Sequence, residues 1–161
     1  MEHVDKKKYK GILILDGKYV KVKGYDKKIP FIYGVDYHSH DIVTSVLCLS
    51  ESTESFKKVF RILKDINYPL RVVVCDNVLK SLIPALKHHY PNVPVQLCLI
   101  HYAENLRTML NVRKENVHLD FFNEIYDLIY HRYVGNADHN FRKLLFKYEK
   151  NIHYQNVLLN I

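Results

Sequence analysis

Residues 70–75, LRVVVC, form an apolar run with Pro69 before it and Asp76 directly after it. Helix-like patterns stand on both sides. Upstream, Phe56, Val59, Phe60, Leu63 and Ile66 recur at helical spacing; downstream, Leu79, Leu82, Ile83 and Leu86 share one side of a segment from 78 to 90. A strand reached through a crossover helix is laid parallel to a neighbour in its own sheet, with right-handed connection. This run therefore sets the class: an α/β chain with at least one parallel pair.

The remaining pattern fills in the neighbours. GILILD (11–16) is a strand-type apolar run, and KYVKVK (18–23) alternates in part, as a half-exposed strand does. Residues 24–30 read as a turn, FIYGVDY (31–37) as a second strand, HSHD (38–41) as a tight turn and IVTSVLCL (42–49) as a third strand, which together predict an antiparallel meander. Ser50 to Ser55 reads as a helix start, with Glu51 and Glu54 placed where the helix dipole favours negative charge. Pro69 ends that helix, Pro84 kinks the next one or delays its start, and Pro91 and Pro94 bracket a break before a short fifth strand, VQLC (95–98). Helical patterns follow over 100–112, about 116–133 and about 137–150. The last ten residues carry no clear pattern. The expected architecture is a five-stranded mixed sheet, three antiparallel strands then two parallel, with flanking helices. Residues 1–112 would form the core and 113–161 a helical extension.

Two aspartates end purely apolar runs: Asp16 after LIL and Asp76 after VVVC. Turn and cap preferences alone account for an aspartate in either place. If the fourth strand pairs with the first, however, the two carboxylates come together, and a divalent cation is the usual remedy for their repulsion. Asp36 also ends an apolar stretch and is read as a strand or turn residue. Cys98 and His101 are three apart where a strand passes into a helix, which puts them on one helical face. Zinc is not expected there: a closed site takes four ligands, and no second Cys/His pair has finger spacing, although Cys75, His88 and His89 are near. Tyr126, Tyr130 and Tyr133 beside Arg132 could stack on bases, but with Phe121, Phe122, Ile125 and Ile129 around them they read as helix core.

Composition narrows the partners. A hydrophobic content of 48% with 25% charge is that of a folded chain, and five Gly and five Pro leave no low-complexity linker. The first residues, MEHVDKKKYK, have no apolar segment of secretion-signal type, and no run approaches the ~20 apolar residues that span a bilayer. Three cysteines then read as reduced thiols of an intracellular protein. The net charge is +7, and residues 1–30 hold nine lysines against four acids. Such a bias suits a polyanion, with phosphate backbone the first candidate. Lys18, Lys21, Lys23, Lys27 and Lys28, with the lysines of 6–10, are the contact candidates; a solvated edge that discourages strand aggregation is an equal reading.

In order, LILDGKYVKVKG, FIYGVDYHSHDIV, SESTESFKKVFRILKD, VVVCDNVLKSLIPALKHHYP and VQLCLIH resemble the catalytic core of DDE transposases, nearest to the Mutator-type group and its prokaryotic insertion-sequence relatives. Matching features are Asp16-Gly17 in an apolar strand, Asp76 opening a helix that leads to Tyr90-Pro91, and the Cys-x-x-His of Cys98 and His101. The resemblance spans about residues 11–110 and implies a ribonuclease H-like fold. It implies metal-dependent DNA strand cleavage and strand transfer on transposon ends and target DNA. Asp16 would be the bridging ligand and Asp76 a ligand to one of two Mg²⁺ or Mn²⁺ ions, with homo-oligomers possible; the intracellular location expected is the cytoplasm and nucleoid of a prokaryote or the nucleus of a eukaryote. Cys98 and His101 would pack beside the acidic site, with a purely structural pair the equal alternative. The group's third acid is a later glutamate. Glu104, Glu115, Glu124 and Glu149 are available, and none stands in a matching pattern, so the third carboxylate is expected beyond Ile161 and the core incomplete. The rival readings are a non-catalytic DNA-binding or regulatory remnant and another nuclease of the same fold.

Overall fold

The computed structural model describes residues 8–76, 78–112, 114, 116–130 and 137–159. Contacts divide the chain into two compact units, Met1–Cys98 and Leu99–Ile161. The first holds strands β1 (Ile12–Val20), β2 (Ile29–Asp36), β3 (Ile42–Leu47), β4 (Val72–Cys75) and β5 (Val95–Leu97), with helices α1 (Thr53–Asp65) and α2 (Leu79–His89). The strands form one sheet in the order β3-β2-β1-β4-β5. β1 pairs antiparallel with β2, and β2 with β3; β4 lies parallel to β1, and β5 to β4. This is the mixed sheet, three antiparallel strands then two parallel, that the sequence predicts.

Alternation along the strands decides what faces the helices. Leu13 and Leu15 of β1, Ile32 of β2, and Val73 and Cys75 of β4 are buried against Phe56, Val59, Phe60 and Leu63 of α1 and Leu82, Ala85 and Leu86 of α2. Each large side chain buried this way contributes about 1.5–3 kcal/mol. α1 begins at the cap residue Ser52, whose side chain accepts from the Ser55 N–H at 3.3 Å. It stops before Pro69 is reached. Asn67 takes φ 54°, its N–H donates to the Lys64 carbonyl, and the Tyr68 N–H donates to the Leu63 carbonyl. That is the paired bond pattern of a left-handed helix stop, with Asn in the usual glycine place. Pro84 lies inside α2 rather than delaying its start.

One end of the sheet is tied by a buried carboxylate. Asp36, wholly buried at the end of β2, accepts from the His38 N–H at 3.0 Å and the Ser39 N–H at 2.9 Å on one oxygen. Its other oxygen accepts from the Tyr68 hydroxyl at 2.6 Å and the Gly11 N–H at 3.3 Å. Gly11 has φ +80°, and a Cβ there would lie 1.9 Å from the Pro69 carbonyl oxygen, so only glycine fits the join. Burial alone would raise the Asp36 carboxyl; the bonds from Tyr68, Ser39, His38 and Gly11 outweigh it and hold the group below the usual carboxylate range.

The second unit holds α3 (Leu99–Met109), a 3₁₀ turn (Asn116–His118), α4 (Leu119–Tyr130), α5 (Ala137–Lys147) and α6 (Ile152–Leu158). Leu106, Leu110, Phe121, Phe122, Ile125, Leu144, Val157 and Leu158 make its core. Phe121 and Tyr154 stack there with ring centroids 3.9 Å apart. Tyr126 and Tyr130 lie against each other but stay 38% exposed, so only the phenylalanine and isoleucine part of that stripe is buried core. Tyr133 and Arg132 lie outside the described residues. α6 is the helix that the sequence pattern does not reveal; Asn151 caps it by accepting from the Tyr154 N–H. Among the described residues no helix is long and apolar enough to cross a membrane.

Candidate active site

The ladder between β1 and β4 ends at the pair Leu15↔Cys75. One residue past that pair stand Asp16, still within β1, and Asp76, directly after the end of β4, each following a core-facing residue. β1 continues to Val20 with β2 alone beside it, so its β4 side is open from Asp16 onward. A pocket of about 180 Å³ forms at that opening. Leu15, Ile32 and Phe56 give it an apolar wall, and Asp16, Asp76 and Glu51 supply three carboxyl groups. Gly17, Tyr19 and Val78 complete the lining, and among these residues there is no lysine or arginine.

Both oxygens of Asp16 are oriented. Oδ1 accepts from the Gly17 N–H at 2.8 Å, and Oδ2 accepts from the Tyr33 hydroxyl at 2.9 Å. Tyr33 sits directly opposite Asp16 in the β1–β2 register, and its ring is stacked on Phe31 at 5.8 Å. The bond to Asp16, then burial and the Asp16 charge, push the Tyr33 phenol above its ordinary value, so it stays a donor.

Glu51 is the functional candidate that the sequence pattern does not single out. SESTES offers two glutamates for one helix start. The cap at Ser52 places Glu54 in the first turn, where it pairs with Lys57 at 2.7 Å, and leaves Glu51 outside the helix. The available signal was topological. β3 runs in the same direction as β1 and β4, so the chain leaving β3 emerges at the same end of the sheet as the two aspartates. Burial, followed by the charges of Asp16 and Asp76, raises the Glu51 carboxyl above its ordinary value.

The other sequence candidates have surroundings of their own. Cys98 donates its N–H to the Cys75 carbonyl at 2.7 Å and is half-buried, but it does not line the pocket. The Cys75 thiol is buried in the sheet core and pushed up to about 11 by burial, then by Asp76 and Cys98. His101 stands in the first turn of α3 in the second unit, its Nδ1 buried without a hydrogen-bond partner. Lys18, Lys21, Lys23, Lys27 and Lys28 are all exposed along the outer part of β1 and the turn to β2. Lys8 is paired with Asp41; Lys6 and Lys7 lie outside the described residues. Of the glutamates considered for the third acid, Glu104 pairs with Arg107 at 3.0 Å, and Glu124 accepts from Lys147 at 2.6 Å and Tyr148 at 3.0 Å. Glu149 is exposed, and Glu115 lies outside the described residues.

Among the described residues no group of three His, Cys, Asp or Glu side chains converges on one point as a closed metal site does. The donor chemistry nevertheless fits a hard divalent cation. Three carboxyl groups share a small pocket whose lining holds no positive side chain, and oxygen donors with room for water are what Mg²⁺ or Mn²⁺ take.

Comparison with known proteins supplies the family. The sequence model described as "Transposase, Mutator family" matches residues 3–158. No curated protein matches the chain. Among solved structures, the HTLV-2 integrase catalytic core domain in complex with magnesium is similar in its dimeric form, at 18% identity and TM-score 0.43, over 69% of this chain and 79% of that one. Its trimeric form aligns at 15% identity and TM-score 0.45, over 86% and 84%. The catalytic core domain of BIV integrase aligns at 11% identity and TM-score 0.43, over 92% and 78%.

Proposed function

Because the chain belongs to the Mutator family of transposases, we propose that the pocket at the ends of β1 and β4 is where it cuts DNA strands and joins them to a target. Asp16 and Asp76 hold the divalent cations in this reading. The observation that carries it is the placement of two aspartates one step past a parallel pair, in a pocket with a third carboxyl group and no lysine or arginine among the described residues that line it.

When bound, Mg²⁺ or Mn²⁺ would activate the attacking oxygen and stabilise the leaving one. The chain's own part is positional. The Gly17 N–H and the Tyr33 hydroxyl fix the two oxygens of Asp16, so this carboxylate is oriented before a cation or a phosphate arrives. The apolar wall of Leu15, Ile32 and Phe56 excludes water from one side. Tyr19, 55% exposed at the pocket, offers a ring on which a base can stack. Lys18, Lys21, Lys23, Lys27 and Lys28 continue from the pocket strand and supply phosphate contacts. A mobile element has two ends, so two copies of the chain acting together belong to the same reading.

The test has two arms. Mg²⁺ or Mn²⁺ raises the melting temperature of the parent, and a duplex carrying the element's terminal repeat is nicked. Asp76→Ala abolishes both effects. A double variant Asp16→Ala/Asp76→Ala that responds to cation as the parent does ends the assignment. Replacing Lys27 and Lys28 by Ala weakens DNA binding for all sequences alike and lowers the salt slope by about one for each phosphate-bound lysine removed. Binding without nicking by the metal-loaded parent would favour the non-catalytic reading.

A further inference from the structure

Beyond Asp16 and Asp76, we propose that Glu51 is a further working carboxylate of the site, separate from the group's later glutamate: a positioning group that Gly17 admits to the pocket. The inference rests on the reading that the pocket binds divalent cations. Its basis is a close approach. A Cβ built on Gly17 would lie 2.5 Å from Glu51 Oε1 and, its chain neighbours aside, would meet no other residue within 4 Å, so the overlap is relieved by the flexible glutamate moving its carboxylate away. Gly17 does not have a positive φ, so its backbone asks for no glycine. What the missing side chain provides is space, and the Glu51 carboxylate fills it.

The segment carrying Glu51 is held from both sides. The buried Ser55 donates its hydroxyl to the Ser50 carbonyl at 2.8 Å. Its N–H donates to the Ser52 hydroxyl at 3.3 Å, and the two hydroxyls lie 3.2 Å apart. Residues 50 and 52 are thus tied to the same serine of α1, with Glu51 between them. The tie is part of the α1 cap and fixes the backbone on both sides of Glu51, while the vacant Cβ position of Gly17 leaves its carboxylate room. The dipeptide Asp16-Gly17 therefore does two jobs in adjacent positions: the first residue gives a carboxylate, and the second leaves room for one that arrives from another element. Since three carboxylates do not converge on one point, Glu51 acts on the cation's water shell, accepting hydrogen bonds from bound water, rather than as a direct ligand.

The test measures Mn²⁺ affinity by calorimetry on the full chain, with metal-free melting temperatures as the folding control. Glu51→Gln is expected to weaken binding by about tenfold to a hundredfold, the range for an outer-shell partner. Its metal-free melting temperature stays at or above the parent's. Gly17→Ala, which removes no carboxylate, is expected to give a similar loss by displacing Glu51. The double variant is expected to be no worse than the weaker single one, because both act through the same group. Parent-like affinity in folded Gly17→Ala, or losses that multiply in the double variant, overturns the seat. Parent-like affinity in Glu51→Gln overturns the role of Glu51. Asp76→Ala separates the two levels: if it binds Mn²⁺ as the parent does, the cation site itself is wrong, whereas if it alone loses binding, only the present inference fails.

Discussion

The sheet carries a carboxylate arrangement at each end, and the two are opposite in kind. At one end Asp36 is fully buried and meets four donors, three from the backbone and one from Tyr68. At the other, Asp16, Asp76 and Glu51 share a pocket with no lysine or arginine among the described residues that line it, and burial, followed by the charges of the aspartates, drives the Glu51 carboxyl upward. The first arrangement satisfies its own hydrogen bonds and serves stability. The second gathers three carboxyl groups in one pocket, where the Asp16 oxygens accept from the Gly17 N–H and the Tyr33 hydroxyl. An aspartate at a strand end thus has no fixed meaning; the donors around it decide.

The largest effect is expected from breaking the satisfied end. Asp36→Ala strands the buried Tyr68 hydroxyl and Gly11 N–H, and each unsatisfied donor costs roughly 1–3 kcal/mol. A loss on the order of 4 kcal/mol, read by urea unfolding, is a large share of a total that is typically about 5–15 kcal/mol. A parent-like unfolding midpoint would contradict the tie.

The pH dependence of the two ends separates them next. The folded Asp36 carboxyl lies below its unfolded value, near 3.9. Its contribution is present above that value and disappears as pH falls through the lower, folded one. The difference in stability between parent and Asp36→Asn should therefore be widest near neutrality and shrink at pH below about 4. Glu51 runs the other way. Its folded value is raised, so without metal it costs stability as pH rises from the unfolded value, about 4.3, through the folded one. Glu51→Gln should remove that decline and leave the metal-free chain at neutral pH as stable as the parent or better by a few tenths of a kcal/mol. Melts across a pH series check both signs, and parallel curves for the two variants would refute the contrast.

Much of this was legible in the residues, for physical reasons that also mark the limits. The strand order follows from short turns between the first three strands and helices before the last two. Asp16 and Asp76 come together because both end four-residue pairings that are apolar throughout, Ile12 to Leu15 against Val72 to Cys75. Glu51 was not legible. Two glutamates three apart fit a first helical turn equally well, and only the choice of Ser52 as cap puts one inside the helix and the other in the pocket. The stop of α1 at Asn67 was hidden behind the stronger signal of Pro69. α6 is only seven residues long, too short for its periodicity to stand out.

The smallest effect, and the finest test of the contrast, is at Tyr33. Asp16 differs from Asp36 in having one side-chain donor and one backbone donor, and in lining the pocket. Tyr33→Phe keeps the ring stacked on Phe31 and removes only the hydroxyl that Oδ2 accepts from. Asp16 is half-buried, so water can replace the lost donor, and the stability change should stay under about 1 kcal/mol. The Gly17 N–H still holds Oδ1, but the carboxylate is free to turn about that bond. Mn²⁺ affinity should then fall by less than about tenfold, the lower limit expected for an orienting partner. Tighter binding in Tyr33→Phe would mean that the phenol competes with the cation for Oδ2 instead of aiming it.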